Sequence, residues 1–177
     1  MDKSNYKIVL TEEQISKRVS ELAEQISIDY KGKTPVIICM LKGAVYFFSD
    51  LSKKISIPIM IEFARLSSYR NGTCSGEMEL ISDITADITG KDVIIVEDIV
   101  DSGKTLAYFI KLLEKKNPAS IKICAFLDKK ERREVDVDVK YVGFDIHCGF
   151  VIGYGMDYDE KYREWPFLAE VIDPSKA

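Results

Sequence analysis

A cluster of acidic side chains follows a short apolar run near the middle of the chain. The run Val93–Val96 is typical of a buried strand, and the adjacent carboxylates Glu97 and Asp98 come directly after it. Two neighbouring carboxylates repel each other, so they are tolerated where a cation or a row of hydroxyl donors compensates. A ribose diol together with Mg²⁺ supplies both partners. The pair therefore predicts a site for a sugar and a divalent metal ion.

A loop of small, hydroxyl-bearing and basic residues comes next, before a helical stretch. Gly103 permits close backbone approach, and the amide groups of residues 102–105 lie at a helix N-terminus, where they attract phosphate. Asp101 lies on the same loop, between the predicted phosphate and sugar positions, which suits a general acid or base. The remaining side chains add two hydroxyls and one positive charge: Ser102, Thr105 and Lys104.

Two simpler interpretations of this segment are less favoured. An ordinary strand–helix loop with a capping serine explains any single residue, but not three acids and a Ser-Gly-Lys-Thr cluster so close together. A P-loop requires a glycine five residues before its Gly-Lys pair, and that position is Asp98. The segment therefore indicates a phosphate and sugar site of a different kind.

The apolar pattern predicts the elements that must hold these residues. Buried strands are expected at Pro35–Leu41, Pro58–Phe63, Val93–Val96, Ile121–Leu127 and Tyr141–Ile146. Helices are expected from a capping box at Thr11 to about Asp29, from Gly43 to about Lys54, and over Lys104–Lys116. Strands that alternate with helices predict one α/β domain over residues 1–177, with a central parallel sheet flanked by helices. Ligands of such sheets bind beyond the carboxyl ends of the strands.

The segment from about residue 67 to residue 83 differs from the rest. It is polar, contains Gly72 and Gly76, and lacks periodicity. A long loop in a compact domain is usually a functional lid or a disordered segment. We interpret it as a flexible lid over the predicted site.

Composition limits the class of protein. The net charge of −4 argues against a protein whose main role is to bind nucleic acid. Cys39 and Cys124 lie in apolar runs and are expected to be small buried side chains, and no Cys-x-x-Cys pair indicates zinc. No apolar run approaches the roughly 18 residues that span a bilayer. Without a recognisable signal peptide, the reducing cytoplasm is the expected compartment.

The stretch Val93–Thr105 resembles the phosphoribosyl-pyrophosphate signature of type I phosphoribosyltransferases. The resemblance implies that Glu97 and Asp98 bind the ribose hydroxyls and Mg²⁺, and that residues 101–105 hold the 5′-phosphate. It also implies that Asp101 is the catalytic acid–base residue. The signature identifies the donor substrate and says little about the acceptor.

Two other stretches resemble the hypoxanthine-guanine members of that family. Leu41-Lys42-Gly43 is similar to their pyrophosphate loop, in which the bond before the lysine is a non-proline cis peptide. Lys42 and Gly43 would then contact pyrophosphate, together with the guanidinium of Arg163. The pair Ser68-Tyr69 resembles a pair in the family's flexible catalytic loop, which closes over the site and excludes water.

The acceptor base is indicated by resemblance at the end of the chain. Lys129 would donate to the 6-oxo group of a purine, which an adenine amino group cannot accept. Within the segment 150–158, Phe150 would stack on the base, the Val151 backbone would bond its edge, and Asp157 would hold a second Mg²⁺ largely through water. The sequence departs from the family pattern at 147–149, where His147-Cys148-Gly149 precedes the pocket; His147 is expected at the surface or the pocket rim.

The resemblance thus implies transfer of a phosphoribosyl group from phosphoribosyl pyrophosphate to hypoxanthine or guanine, with Mg²⁺. It further implies a small hood formed by the N-terminal segment and about residues 129–177, and a homodimer or homotetramer. Two alternatives stay open. One is an enzyme that prefers xanthine, and the other is a non-catalytic regulator that binds nucleic acid.

Overall fold

A computed structural model describes residues 5–68, 78–147 and 149–173. Its nine strands are Tyr6–Leu10 (β1), Val36–Met40 (β2), Met60–Ser68 (β3), Met78–Ser82 (β4), Asp92–Val100 (β5), Ser120–Asp128 (β6), Tyr141–Asp145 (β7), Val151–Ile152 (β8) and Leu168–Val171 (β9). Its α-helices are Glu12–Asp29 (α1), Val45–Lys54 (α2) and Lys104–Glu114 (α3).

Six strands form one sheet in the order β4-β3-β2-β5-β6-β7. Neighbouring strands from β3 to β7 in this order pair in parallel. The edge strand β4 pairs antiparallel with β3. The central strands are apolar throughout their buried parts because helices cover the sheet, as the continuous runs in the sequence indicated. The predicted α/β fold with a parallel sheet is confirmed.

The first helix begins where the sequence predicted it. The Thr11 hydroxyl accepts from the backbone N–H of Gln14, and the Gln14 side chain accepts from the Thr11 N–H. This capping box satisfies two amide groups that a helix start would otherwise leave without acceptors. The helix then buries one face, which includes Leu22 and Ile26, against the rest of the core.

Two strand predictions were too short. β5 continues to Val100, so Glu97 and Asp98 lie within the strand and not after it, because β6 pairs with it as far as Asp128. β3 continues to Ser68 and pairs with β4 as a hairpin. The predicted loop over 67–83 therefore begins and ends in strands, and Tyr69 lies outside the described residues.

A smaller antiparallel sheet has the order β1-β9-β8. It joins the two ends of the chain, since Tyr6 lies opposite Val171. Its apolar side forms a separate buried cluster of Ile152, Ala169 and Val171. Its strands come from the N-terminal segment and from residues 129–177, the parts of the chain from which we expect the small hood to form. The hood itself stays a prediction.

Both cysteines expected to be buried are buried and free, Cys39 in β2 and Cys124 in β6. Burial raises the pKa of the Cys39 thiol to about 12, with a further contribution from the charges of Glu97 and Asp98. Among the described residues, no helix combines the length and the apolar character needed to cross a membrane.

Candidate active site

A cleft of about 130 Å³ opens at the carboxyl end of β5. It brings together five of the residues predicted to bind the phosphoribosyl group: Glu97, Asp101, Ser102, Gly103 and Thr105. Two predicted neighbours are not part of its lining, since Lys104 forms an ion pair with Glu134 and the Asp98 carboxylate lies against Gly43. The cleft is therefore formed by one loop together with the strand before it.

The loop can take its shape because residue 103 is glycine. Gly103 precedes α3 with φ +80°, a left-handed conformation that suits a residue without a Cβ. A Cβ at this position would lie 2.3 Å from the carbonyl oxygen of Val135. The Ser102 carbonyl accepts from the backbone N–H groups of Glu134 and Val135 at 3.0 and 2.9 Å, so the segment after β6 holds the loop from behind.

The two adjacent carboxylates lie close to each other but have different surroundings. Glu97 lines the cleft, and Asp98 packs so closely on Gly43 that a Cβ there would lie 1.6 Å from its Oδ2. Burial and the neighbouring charge of Asp98 raise the pKa of Glu97 well above its usual range. Among the described residues, neither carboxylate has a cationic side chain within ion-pair distance, which leaves room for a cation brought by a ligand.

The predicted catalytic residue Asp101 has one engaged carboxylate oxygen. Its Oδ2 lies 3.3 Å from Nη1 of Arg132. Its Oδ1 is buried and accepts no hydrogen bond from any residue that the structure describes. A buried oxygen of this kind is costly unless a ligand or water satisfies it, so it is a suitable proton acceptor in an occupied cleft.

Arg133 holds the start of the loop 101–105 in place, a role that we did not predict from the sequence. Its Nε donates to the Asp101 carbonyl at 3.0 Å, and its Nη2 donates to the Val100 carbonyl at 3.3 Å. Nη2 also forms a short ion pair with the buried carboxylate of Asp128 at the end of β6. A run of charged residues directly after a buried strand was the only sequence signal for this arrangement.

The predicted purine-binding residues lie beside this loop, at the end of β6 and the start of β8. The backbone N–H of Lys129 donates to Val100 at 3.0 Å, and its Nζ donates to the Gly149 carbonyl at 2.9 Å. Phe150 is 45% exposed and not part of the core, with the Tyr158 ring edge-on to it at 5.6 Å. Val151 is buried in β8.

The segment 147–149, which precedes the predicted purine-binding residue Phe150, is held by two acidic residues. Glu131 Oε1 lies 3.1 Å from Nδ1 of the exposed His147. The backbone N–H of Gly149 donates to Glu170 at 2.8 Å. Cys148 lies outside the described residues. His147 is thus a surface residue, as expected, and its ring is turned toward Glu131.

The predicted pyrophosphate residues Lys42 and Gly43 follow β2. The Leu41–Lys42 peptide bond is cis, as the resemblance implied. Gly155 packs directly on this loop, since a Cβ on it would lie 1.9 Å from the Gly43 carbonyl oxygen. The segment after β8 and the loop after β2 are therefore in backbone contact.

Arg163 is anchored to the same segment. Its Nη1 donates to the Gly155 carbonyl at 2.7 Å, and its Nη2 lies 2.7 Å from Asp157 Oδ1. The other oxygen of Asp157 accepts from the backbone N–H of Glu160 at 2.9 Å. The Nε of Arg163 is buried without a hydrogen-bond partner among the described residues, so one donor is left for a ligand.

An open, mostly parallel sheet with a glycine-containing loop and two carboxylates at the carboxyl end of a central strand is the arrangement in which α/β proteins bind their ligands. The model of the family described as "Phosphoribosyl transferase domain" matches residues 5–159. The chain therefore belongs to the phosphoribosyltransferase family.

Several relatives are similar over nearly the whole chain. A hypoxanthine-guanine phosphoribosyltransferase from Streptococcus thermophilus is 41% identical over 95% of this chain and 94% of its own length. The corresponding protein from Mycobacterium tuberculosis is 44% identical, over 94% of this chain and 86% of its own. The crystal structure of a Bacillus anthracis hypoxanthine-guanine phosphoribosyltransferase superposes with a TM-score of 0.89 at 45% identity and covers 94% of this chain and 98% of that one.

Proposed function

We propose that this protein transfers the 5-phosphoribosyl group of phosphoribosyl pyrophosphate to N9 of hypoxanthine or guanine. The products are IMP or GMP and pyrophosphate. One observation carries the proposal. The cleft with the phosphate-type loop and the unsatisfied Asp101 oxygen lies beside Lys129 and Phe150, so a sugar phosphate and a flat oxopurine have adjacent sites.

The donor binds on the β5 side of the cleft. The loop 101–105 receives the 5′-phosphate, where the start of α3 and the Ser102 and Thr105 hydroxyls offer hydrogen-bond donors. Glu97 accepts from the ribose hydroxyls. Lys104 acts mainly through its long-range positive charge, because its ammonium group is paired with Glu134.

The reaction exchanges one bond at C1 of the ribose for another. The bond from C1 to the pyrophosphate oxygen breaks, with its electron pair leaving on pyrophosphate, and N9 of the base donates a pair to form the new bond. The proton on N7 is lost to Asp101, whose Oδ1 is free to accept it. Pyrophosphate leaves against the Lys42 loop and Arg163, whose planar fork matches phosphate oxygens.

The residues of the site suit Mg²⁺ that is shared with the substrate. Glu97 and Asp98 are adjacent and lack a cationic partner among the described residues, which fits a divalent ion nearby. The described residues contain no group of three or more potential protein ligands, so substrate oxygens and water must complete the shell. When bound, Mg²⁺ supplies positive charge to the diphosphate and stabilises it as a leaving group. Asp157 is a water-mediated candidate, since both of its oxygens already accept hydrogen bonds.

The choice of base follows from the donor on Lys129. Its ammonium group can donate hydrogen bonds but cannot accept them. It therefore favours a 6-oxo group, which accepts, over a 6-amino group, which donates. Phe150 offers an exposed aromatic face for stacking at the same place. The contact between Lys129 and Gly149, next to Phe150, supports a shared pocket for the two side chains.

We also expect the segment around Ser68 and Tyr69 to close over the bound substrates. The reacting sugar resembles an oxocarbenium ion, which water would intercept. As further parts of the proposal, we expect a cytoplasmic homodimer or homotetramer.

A substrate panel tests the proposal. The protein is incubated with Mg²⁺ and phosphoribosyl pyrophosphate together with hypoxanthine, guanine, xanthine or adenine, and the monophosphates are separated by chromatography. We expect IMP and GMP and no AMP. XMP as the main product would favour the xanthine alternative. The absence of every product, together with salt-dependent binding of RNA or DNA, would favour the regulator.

A further inference from the structure

The turn between β8 and β9 has a strained backbone. Tyr158 and Lys161 exchange two backbone hydrogen bonds of 3.1 Å, and the two residues between them, Asp159 and Glu160, have φ of +53° and +61°. Such a turn favours Asn and Gly at these positions, and a glutamate there is unusual. Strained residues of this kind occur most often where function fixes their position.

The strained turn places the Glu160 carboxylate between two cations. Its Oε2 lies 2.8 Å from Nζ of Lys42, and its Oε1 lies 3.5 Å from Nη2 of Arg163. These are the two cationic side chains to which the proposed function assigns the leaving pyrophosphate. A carboxylate and a phosphate group are both anions that accept from ammonium and guanidinium groups, so they compete for the same donors.

Two contacts keep Glu160 in this position. Its backbone N–H donates to Asp157 Oδ2 at 2.9 Å, and Asp157 in turn pairs with Arg163. Gly155, a few residues earlier, rests on the Gly43 carbonyl, so the whole turn is held against the Lys42 loop. The side chain itself is 64% exposed, so it can swing into solvent when another anion arrives.

We propose that Glu160 is an internal competitor for the pyrophosphate site, which neutralises Lys42 and Arg163 when no ligand is bound and weakens the binding of pyrophosphate. This inference rests on the proposed function, because that function assigns the two cations to pyrophosphate. Its consequence is faster product release at the expense of donor affinity. Glu160 touches no reacting atom and takes no part in bond making.

The test compares pyrophosphate binding by Glu160→Gln and by a matched control. Asp159→Asn removes the same charge from the same turn, but Asp159 pairs with Lys161 at 3.2 Å, a lysine that we do not assign to the site. Isothermal titration of each protein with pyrophosphate and Mg²⁺ gives the dissociation constant. We expect Glu160→Gln to bind about five times more tightly than wild type, in line with an exposed ion pair, and Asp159→Asn to be unchanged.

A second variant separates charge from turn geometry. Glu160→Gly also removes the carboxylate, and glycine accepts the positive φ without strain. Tighter pyrophosphate binding by both variants, with a lower KM for phosphoribosyl pyrophosphate and an unchanged KM for hypoxanthine, is the expected result. Unchanged binding would overturn the inference, because Glu160 would then not compete with pyrophosphate. Weaker binding would overturn it as well, because Glu160 would then order the two cations. Wild-type turnover of hypoxanthine, measured alongside, shows separately whether the proposed function holds.

Discussion

The guanidinium of Arg133 and the carboxylate of Asp128 form a buried ion pair directly behind the loop 101–105. Only 15% of the arginine side chain and 3% of the aspartate side chain are exposed. The same guanidinium donates to the carbonyls of Val100 and Asp101. The position of Asp101 therefore depends on a charge pair between the end of the neighbouring strand and the segment after it.

Replacement of Arg133 by lysine tests this dependence. A lysine keeps the positive charge but cannot reach the carboxylate and both carbonyls at once. We expect the free energy of unfolding in urea to fall by about 1–3 kcal/mol. We also expect kcat for IMP formation to fall by at least about tenfold, since small misplacements of a catalytic group are expensive.

Arg18 offers a matched control for that variant. Its guanidinium also donates to two backbone carbonyls, Gly143 at 2.9 Å and Val142 at 2.8 Å, on the β7 side of the sheet. Arg18→Lys should lower stability without changing kcat. If both variants lower kcat equally, the effect is general loosening of the fold and Arg133 has no special part in positioning the loop.

The Asp101→Asn variant separates proton transfer from binding. The amide keeps the shape of the side chain but is a poor proton acceptor, so we expect kcat to fall by about 10²–10⁴-fold. The dissociation constant of phosphoribosyl pyrophosphate, measured by titration, should change by less than about tenfold, as for the loss of one hydrogen bond. Equal losses in both quantities would assign Asp101 to substrate binding instead.

Gly43 and Asp98 are predicted to be energetically coupled. Gly43→Ala would place a methyl group 1.6 Å from the Asp98 carboxylate, and one of the two must move. We expect a loss of about 1–3 kcal/mol of stability from such overpacking, together with a loss of activity. In an Asp98→Ala background the same change should cost little, so a double-mutant cycle by urea unfolding should give a coupling energy above about 0.5 kcal/mol. Additive effects would show that the clash is relieved elsewhere.

A stability prediction concerns Asp92 at the start of β5. Lys33 at 2.8 Å and the Ser120 hydroxyl at 2.5 Å hold the pKa of this carboxyl below its usual range, with Lys33 the larger cause. Because the folded pKa is lowered, the stabilisation is present above the pKa of the unfolded chain and is lost as the pH falls through the folded pKa. We expect Asp92→Asn to cost about 1 kcal/mol at pH 7.

That difference should begin to shrink as the pH falls below about 4, the ordinary pKa range of an aspartate, and should vanish once the pH is below the lowered pKa of the folded state. Urea unfolding of both proteins between pH 7 and pH 3 measures it. Asp138→Asn is the control, since this carboxyl is 83% exposed and lies 3.4 Å from Lys122. A gap between wild type and Asp92→Asn that stays constant with pH would argue against a role for its charge.

The sequence was informative where structure depends on local pattern. The apolar runs predicted the buried strands because both faces of a parallel sheet are covered, and Thr11 with Gln14 marked a helix start. Strand lengths were underestimated where side chains turn polar. Glu97 continues β5, and Ser68 ends β3, because a neighbouring strand supplies backbone partners that no local pattern shows.

The site was predicted from spacing only in part. Glu97, Asp101 and Gly103 lie within a few residues of one another, so their meeting in one cleft follows from one strand end and the loop after it. The partnerships of Arg133 with Asp128, and of Glu160 with Lys42, join distant parts of the chain. Which of many charged residues become buried or paired is decided by tertiary packing.

The two parts of the proposed active site belong to sheets of very different size. The donor half lies at the end of β5, which has a parallel strand on each side, whereas Phe150 and Val151 lie at β8, a two-residue edge strand of the three-stranded sheet. Segments with few backbone partners open at lower free energy than central strands. In native-state hydrogen exchange, the amides of Val93–Val96 should exchange only through global unfolding, while those of β8 exchange through smaller openings. The segment proposed to contact the base can thus open and re-form while the segment proposed to contact the sugar phosphate stays folded.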